Sequence, residues 1–175
     1  MNIFYLHEDQ HECVKMYCDQ HVIKMILETA QMLSTAHHVL DNGSSVISDR
    51  IYKKTHVNHP CSFWVRQNKS NYMWTYILLV ELLNEYEYRF EKLHKTGQLQ
   101  GVLCRIPKRI SGGELTDPPN CTPYKDRDII EAYKKFYEDK AIEWITRDTG
   151  RRFNMKWTRR DIPEFMEPLT VLEYI

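Results

Sequence analysis

Three long segments space their apolar residues in the way that is typical of amphipathic helices. They lie at residues 23–38, 71–93 and 126–145. The dipeptide before Pro60, "NH", predicts the start of a shorter helix, because proline is well tolerated in a first helical turn. The apolar run "NIFYL" at residues 2–6 is either a short N-terminal strand or buried extended chain. We therefore predict a mainly α-helical bundle with a short extended segment at its N-terminus.

Two segments lack this periodicity. Glycine and proline accumulate between residues 96 and 124, where "SGGELTDPPNCTP" predicts a long loop. Residues 147–165 form an irregular tail that is rich in basic side chains. A chain of 175 residues has the size of one domain with a sizeable core, so we expect residues 1–175 to form a single domain.

The first long helix carries a narrow polar stripe. At 100° per residue, four polar side chains fall within an arc of about 80°, and these are His21, Lys24, Glu28 and Gln31. Apolar residues that include Ile23 and Leu27 fill the opposite side, so we expect a mostly buried helix whose polar stripe faces a cavity, a ligand or an interface. The alternative is an exposed Lys24–Glu28 ion pair beside a half-buried histidine whose hydrogen bonds are satisfied.

On the second long helix, the spacing predicts an apolar core face and a solvated acidic face. We expect the core face to contain Trp74, Ile77, Leu78 and residues 80–83, and the solvated face to contain Glu85, Glu87 and Glu91.

The charge balance limits the kinds of partner that suit the chain. Lysine and arginine total 24, aspartate and glutamate also total 24, and the net charge is zero. A protein that coats long nucleic acid is usually basic, so any such contact here needs a local patch. The five cysteines are scattered without a CxxC motif, which suits free thiols in a reducing compartment. We expect a cytoplasmic protein (host cytoplasm if viral) with no signal peptide or membrane span.

The tail contains the clearest basic patch. Within fourteen residues it holds Arg147, Arg151, Arg152, Lys156, Arg159 and Arg160, interleaved with Phe153 and Trp157. Guanidinium groups pair with phosphates and aromatic rings stack on bases, so the patch suits a phosphate-bearing partner. A tail paired with acidic helices is the alternative, and the sequence leaves both open.

Histidine and cysteine residues recur without standard zinc-ligand spacing. "HVNHPC" contains His56, His59 and Cys61, and "HECVKMYCDQH" ends at His21, but HExxH is absent. We expect no metal and no cofactor, and we expect His59 to donate a hydrogen bond at a helix start or to contact a phosphate. His56 and Arg66 are further candidates for substrate binding. P-loop, Rossmann and serine-elbow signatures are missing, which disfavours those enzyme classes.

The order of these features resembles the small α-helical pyrimidine-dimer DNA glycosylases of T-even phages, the endonuclease V type, and small phage proteins loosely assigned to that group. The resemblance is carried by "NIFYL", by "DQH" with a glutamate seven residues beyond its histidine, by "HVIKMILETAQ", by "NHP" and by the Trp-Lys-rich tail. It extends over most of the chain through short motifs.

The resemblance implies a reaction in which an N-terminal α-amine attacks the sugar C1′ and forms a Schiff base. Glu28 falls on the family's catalytic glutamate, Gln20 and His21 on its Gln-His pair, and Gln31 on a position that the family fills with arginine. The lesion-binding segment of the family falls on a group of tail residues, namely Arg152, Lys156, Trp157 and Arg159. Lys24 is expected to keep Glu28 ionised.

The chain departs from the family at three points. Asn2 is bulky, which disfavours loss of the initiator, so Met1 would keep the α-amine one residue earlier. Leu27 replaces an arginine of the family, and the net charge is zero where the family is basic. A buried Lys24 is an alternative former of the Schiff base.

Three functions follow as expectations. The first is a DNA-glycosylase-like protein of DNA repair that processes a DNA base or a nucleotide at the base–sugar bond. The second is a non-catalytic binder of small nucleotides or cyclic dinucleotides, a homo-oligomer that serves phage immune evasion. The third is a helical interaction module without a ligand. The expected partner is DNA or a small phosphorylated nucleotide, not a membrane.

Overall fold

Helices account for most of the computed structural model, which describes residues 2–41, 47–146 and 155–167. The α-helices are α1 (Gln10–Met16), α2 (Asp19–Leu40), α3 (Pro60–Val65), α4 (Lys69–Phe90), α5 (Gln100–Leu103) and α6 (Ile129–Thr146). Short 3₁₀ turns lie at Ser48–Arg50, Lys95–Leu99 and Glu164–Met166. The described residues contain no strand, and the prediction of a mainly α-helical fold is confirmed.

Polar caps begin several of these helices. The Asn68 side chain accepts from Asn71 N (2.9 Å) at the start of α4. The Asp9 side chain accepts from Glu12 N (3.0 Å) at the start of α1, a helix that the apolar spacing did not predict. Each cap satisfies a backbone donor that has no partner within the helix, and so fixes where the helix begins.

The core forms between α2 and α4. α1 packs against α4, and α3 packs against α2. The N-terminal segment, Ile3 to Leu6, is extended and buried within the same core. Its Phe4 carbonyl accepts from the Tyr17 hydroxyl (2.6 Å). Of the two interpretations of "NIFYL", the structure therefore shows buried extended chain, and this chain runs beside α2.

The orientation of α2 differs from the predicted one. Ile23 and Leu27, which the spacing placed in the core, are 44% and 40% exposed, whereas Met25 and Met32 are fully buried. His21 is also buried. The helix is thus rotated so that part of the polar stripe enters the core and part of the apolar side faces solvent.

The predicted loop is shorter than expected. Residues 95–103 form a 3₁₀ turn followed by α5, and the irregular chain begins only after Leu103 and continues to α6. Within the part of the chain that the structure describes, no helix is both long and apolar enough to span a bilayer.

A buried ionic network joins α1, α2, α4 and the tail. The Arg89 side chain has no exposed surface and donates to Glu85 Oε1 (2.6 Å) and Asp19 Oδ1 (3.0 Å). It also donates to the Tyr17 carbonyl (2.7 Å). Glu85 is only 3% exposed and Ile77 is 43% exposed, so the predictions of a solvated Glu85 and a core Ile77 are both wrong. Arg160 binds the same carboxylate from the tail with two hydrogen bonds.

Candidate functional site

Glu28 lies beside the amino end of the chain. The backbone nitrogen of Asn2 donates to Glu28 Oε2 (3.2 Å). Lys24, one turn earlier on α2, places its Nζ 3.6 Å from Glu28 Oε1. The Glu28 side chain is 14% exposed and the Lys24 side chain 63% exposed, so the carboxylate is mostly enclosed while the ammonium stays in solvent. This carboxylate, which reaches a surface and has nitrogen donors on both sides, is the centre of the candidate site.

Asn2 is held by contacts from α3 and α6. Its side-chain Oδ1 lies 3.0 Å from the Tyr133 hydroxyl and 3.7 Å from the Cys61 sulfur. The Tyr133 hydroxyl also lies 2.9 Å from the Pro119 carbonyl and accepts from Cys121 N (3.2 Å). Four distant parts of the chain therefore meet at Asn2 and fix its backbone nitrogen against Glu28.

His59 is the N-cap of α3 and belongs to the same neighbourhood. Its Nδ1 accepts from Cys61 N (3.2 Å), so the proton of the neutral ring is on Nε2, which is left to donate elsewhere. Burial lowers the pKa of His59, and the charge of Glu28 acts on it in the opposite direction. The side chain is therefore a neutral donor close enough to Glu28 to be influenced by its charge. His59 lies at the helix start as predicted, but the prediction that it donates there is wrong, because its ring accepts the capping hydrogen bond.

An exposed aromatic platform continues from His59 along α3. Phe63, one turn further, is 53% exposed, and the Arg66 guanidinium lies 5.1 Å from its ring centroid. The Phe63 nitrogen donates to the His59 carbonyl (2.9 Å), so the helical turn places both side chains near one face. Sequence reasoning selected His59 and Arg66 but missed Phe63. Phe63 could have been found from its spacing, because it lies four residues after His59 and three before Arg66, and so on the same face of a helix.

His56 lies in the turn before α3, outside the enclosed part of the site. It is exposed, its φ is +47°, and its Nδ1 lies 2.7 Å from Thr55 Oγ1. A left-handed backbone is uncommon for residues other than glycine, and it turns the chain into the His59 cap. Its predicted role in substrate binding stays a prediction.

His21 is a core residue in this structure. Its ring packs on Phe4 (4.6 Å between centroids) and near Trp144 (5.1 Å), and its Nδ1 lies 2.7 Å from the Tyr137 hydroxyl. Burial, with a smaller contribution from the charges of Lys24 and Lys140, lowers the pKa of His21 to about 3. The ring is therefore neutral and lies in the core, more deeply buried than the half-buried histidine of the alternative interpretation.

This burial predicts acid sensitivity. Between pH 6.5 and about 3 the unfolded chain binds a proton at His21 that the folded chain does not bind, so stability falls as the pH is lowered through that window. We expect the contribution of His21 to the unfolding free energy to fall by about 2 kcal/mol between pH 6.5 and pH 5. Urea unfolding at several pH values measures it. His21→Gln, which does not titrate, should show a shallower slope, and equal slopes would contradict the prediction.

The remaining polar positions of α2 do not converge on one hollow. Gln20 and Gln31 are partly buried, with Gln31 one turn beyond Glu28, while His21 points inward and Lys24 outward. The expectation that the four groups of the stripe face a single cavity is therefore wrong in this structure. The burial that a Schiff-base role for Lys24 requires is not observed either.

The described part of the tail is bound to the helices. The Trp157 indole is 9% exposed and donates to the Met16 carbonyl (2.9 Å), so its ring has little surface on which a base can stack. Arg159 pairs with Glu91 (2.6 Å), and Lys156 is exposed. Residues 155–160 thus fit the alternative of a tail paired with acidic helices. Met1 and Arg152 lie outside the described residues.

A cavity of about 550 Å³ lies between α1, α6 and the tail, away from Glu28. Its basic residues Lys15, Lys134 and Arg160 each pair with a glutamate, so it offers little positive charge to a phosphate. Among the described residues, no group of three or more histidine, cysteine or acidic side chains could hold a metal ion.

Comparisons of the chain with protein-family models, with curated proteins and with solved structures found no match. The proposed function therefore depends on the geometry around Glu28.

Proposed function

We propose that the protein acts at the base–sugar bond of DNA or of a nucleotide, as a glycosylase with lyase activity, and that Glu28 and the N-terminal amine carry the reaction. The observation that supports this proposal is the contact between Asn2 N and Glu28 Oε2 (3.2 Å). That nitrogen becomes the free α-amine if Met1 is removed, and lies one residue from the amine if Met1 is kept. An enclosed carboxylate beside a chain terminus suits the chemistry that the resemblance implies.

The roles of the two groups follow from the charges that develop. The neutral amine nitrogen forms a bond to C1′ while the bond from C1′ to the base breaks, and the base leaves with the bonding electrons and takes up a proton. Glu28 stabilises the positive charge on the sugar and accepts the proton that the amine loses. The adduct then opens to a Schiff base. Lys24, 3.6 Å away, balances the charge of the resting carboxylate.

Recognition of the substrate is assigned to α3. The exposed Phe63 ring provides a stacking surface, Arg66 beside it suits a phosphate, and the neutral His59 donates from Nε2. All three residues lie on the helix whose first residues contact Asn2, so the platform leads towards the carboxylate.

Phe63→Ala tests this platform. Loss of one base–aromatic stack typically costs about 1–3 kcal/mol, so we expect kcat/KM to fall roughly 5- to 100-fold. Leu93→Ala is the matched control, because Leu93 is 81% exposed and lies beyond the end of α4. Equal activity of the two variants in a steady-state assay would show that Phe63 does not bind the substrate.

Borohydride trapping tests the proposal as a whole. The protein is incubated with duplexes that carry abasic sites, pyrimidine dimers or alkylated bases, and borohydride reduces any Schiff base to a stable adduct. We expect a trapped product with at least one duplex. A variant with one glutamine inserted after Met1 keeps its initiator, because glutamine is at least as bulky as Asn2, so its terminus is displaced from Glu28 and it should not be trapped. Absence of any trapped or nicked product across the panel would reject the proposal.

A non-catalytic binder of a small nucleotide or cyclic dinucleotide is the second candidate. Zero net charge favours a small ligand over a long duplex, and Arg159 and Arg160 are already paired with Glu91 and Glu85. Thermal-shift screening with nucleotides detects such a ligand, because binding to the folded state alone raises Tm. Recovery of the ligand unchanged after denaturation supports the binder, whereas recovery of a cleaved product supports the enzyme.

A further inference from the structure

Two cysteines from distant parts of the chain lie side by side next to Asn2. The Sγ atoms of Cys61, on α3, and Cys121, in the irregular chain before α6, are 3.7 Å apart. Cys61 is fully buried and Cys121 is partly exposed, so a small molecule in solvent can reach only the second sulfur. Cys104, in contrast, is exposed.

The surroundings give the two sulfurs different character. The hydrogen bond from the Cys61 thiol, helped by the Tyr133 hydroxyl and by the charge of Lys125, lowers the pKa of Cys121 to about 6. The same hydrogen bond, together with burial, raises the pKa of Cys61. At neutral pH the accessible sulfur is therefore largely a thiolate, which is the nucleophilic form, and the buried sulfur keeps its proton.

We propose that Cys61 and Cys121 are a peroxide-reactive thiol pair that closes to a disulfide beside the Glu28 site. The Cys121 thiolate attacks one oxygen of a hydroperoxide, the O–O bond breaks, and a sulfenic acid forms while hydroxide or alkoxide leaves. The Cys61 sulfur then loses its proton and attacks the Cys121 sulfur. The S–O bond breaks, and the departing hydroxide takes up a proton to give water. Two thiols are oxidised and one peroxide is reduced.

Closing the disulfide would alter the support of Asn2. The sulfur atoms must approach from 3.7 Å to about 2.05 Å. The Cys61 sulfur, which lies 3.7 Å from Asn2 Oδ1, would lose its hydrogen and move towards Cys121. Asn2 N in turn donates to Glu28, so oxidation is expected to disturb that contact and lower activity. This consequence, unlike the thiol chemistry, rests on the proposed function.

The experiment treats the reduced full-length protein with one equivalent of hydrogen peroxide. Intact mass should fall by two hydrogen atoms, and peptide mapping should find a cross-link between the peptides that contain Cys61 and Cys121. Cys104→Ser is the matched control and should form the same cross-link at the same rate. With Cys61→Ser, whose hydroxyl can still donate to the Cys121 thiolate but cannot resolve a sulfenic acid, a dimedone adduct should accumulate on Cys121.

Two results would overturn the proposal. One is a wild-type protein whose Cys61 and Cys121 both stay alkylatable while other thiols are oxidised. The other is first oxidation at Cys104, with no dimedone adduct on Cys121 in the Cys61→Ser variant. The wild-type measurements do not depend on a variant folding. If the cross-link forms but borohydride trapping does not change, the proposed thiol pair stands and only its effect on the Glu28 site is rejected.

Discussion

Glu28→Gln is expected to lower turnover about 10²- to 10⁴-fold, the range typical of losing a positioned acid–base group. The amide oxygen of glutamine still accepts from Asn2 N, but it has no negative charge to stabilise the sugar cation and takes up no proton. The fold should be little affected, because the ion pair with the 63%-exposed Lys24 is worth at most about 1 kcal/mol. Single-turnover cleavage of an abasic-site duplex measures the loss.

Glu12→Gln is the matched control for this variant. It also removes one glutamate from a lysine pair within a helix, Glu12–Lys15 (2.7 Å), but this pair lines the cavity between α1, α6 and the tail and not the Glu28 site. We expect it to retain full activity. A Glu28→Gln protein that stays active would remove the carboxylate from the mechanism, and one that does not fold would show that Glu28 is structural.

Arg89→Met is expected to destabilise the protein by about 3–5 kcal/mol, the usual cost of breaking a buried ion pair from one side. The arginine donates to Glu85, to Asp19 and to the Tyr17 carbonyl, and methionine leaves these acceptors buried without it. Burial alone would raise the pKa of Glu85, but hydrogen bonds from Arg160 and Arg89 outweigh burial and lower it. Without Arg89, the buried negative charge of Glu85 loses one of these two arginine donors, which destabilises the folded state. Tm should fall by roughly 10 °C.

Arg159→Met is the control, because it measures how much stability is lost when an exposed arginine is replaced. Its partner is Glu91, and the two side chains are 45% and 72% exposed, so the expected loss is below about 1 kcal/mol. Guanidinium unfolding of both variants gives the comparison. Similar stabilities for Arg89→Met and Arg159→Met would mean that the buried network contributes little to the fold.

The long helices could be predicted because apolar spacing marks them directly. α2, α4 and α6 all lie within a few residues of the predicted segments, and Pro60 marks α3. α1 was missed because it is only seven residues long, which is too short for apolar residues to repeat at helical spacing. Its signal was Asp9 followed three residues later by Glu12, a pairing that favours a helix start.

Spacing alone could not assign the faces of these helices. His21 and Arg89 are buried because Tyr137, Glu85 and Asp19 supply hydrogen bonds from other parts of the chain, and these partners become neighbours only in the folded state. Ile23 and Leu27 are exposed because α2 is rotated to bury Met25 and Met32 instead. An apolar face predicted from one helix gives no information about the helices that pack on it.

Only the local part of the candidate site could be predicted from the sequence. Glu28 was identified from its helix and its spacing to "DQH", which are local features. The Asn2 support, by contrast, combines Cys61, Cys121 and Tyr133, which are separated by tens of residues and carry no shared motif. Their proximity is a product of the fold.

Mapping the borohydride-trapped adduct by peptide mass spectrometry tests the central claim most directly. The account predicts that, after proteolysis, the sugar remnant is on the α-amine of the N-terminal peptide, at Asn2 or at Met1 according to the intact mass, and that the Glu28→Gln protein yields almost none. An adduct on Lys24 or on any other lysine, with the N-terminal peptide unmodified, would contradict it.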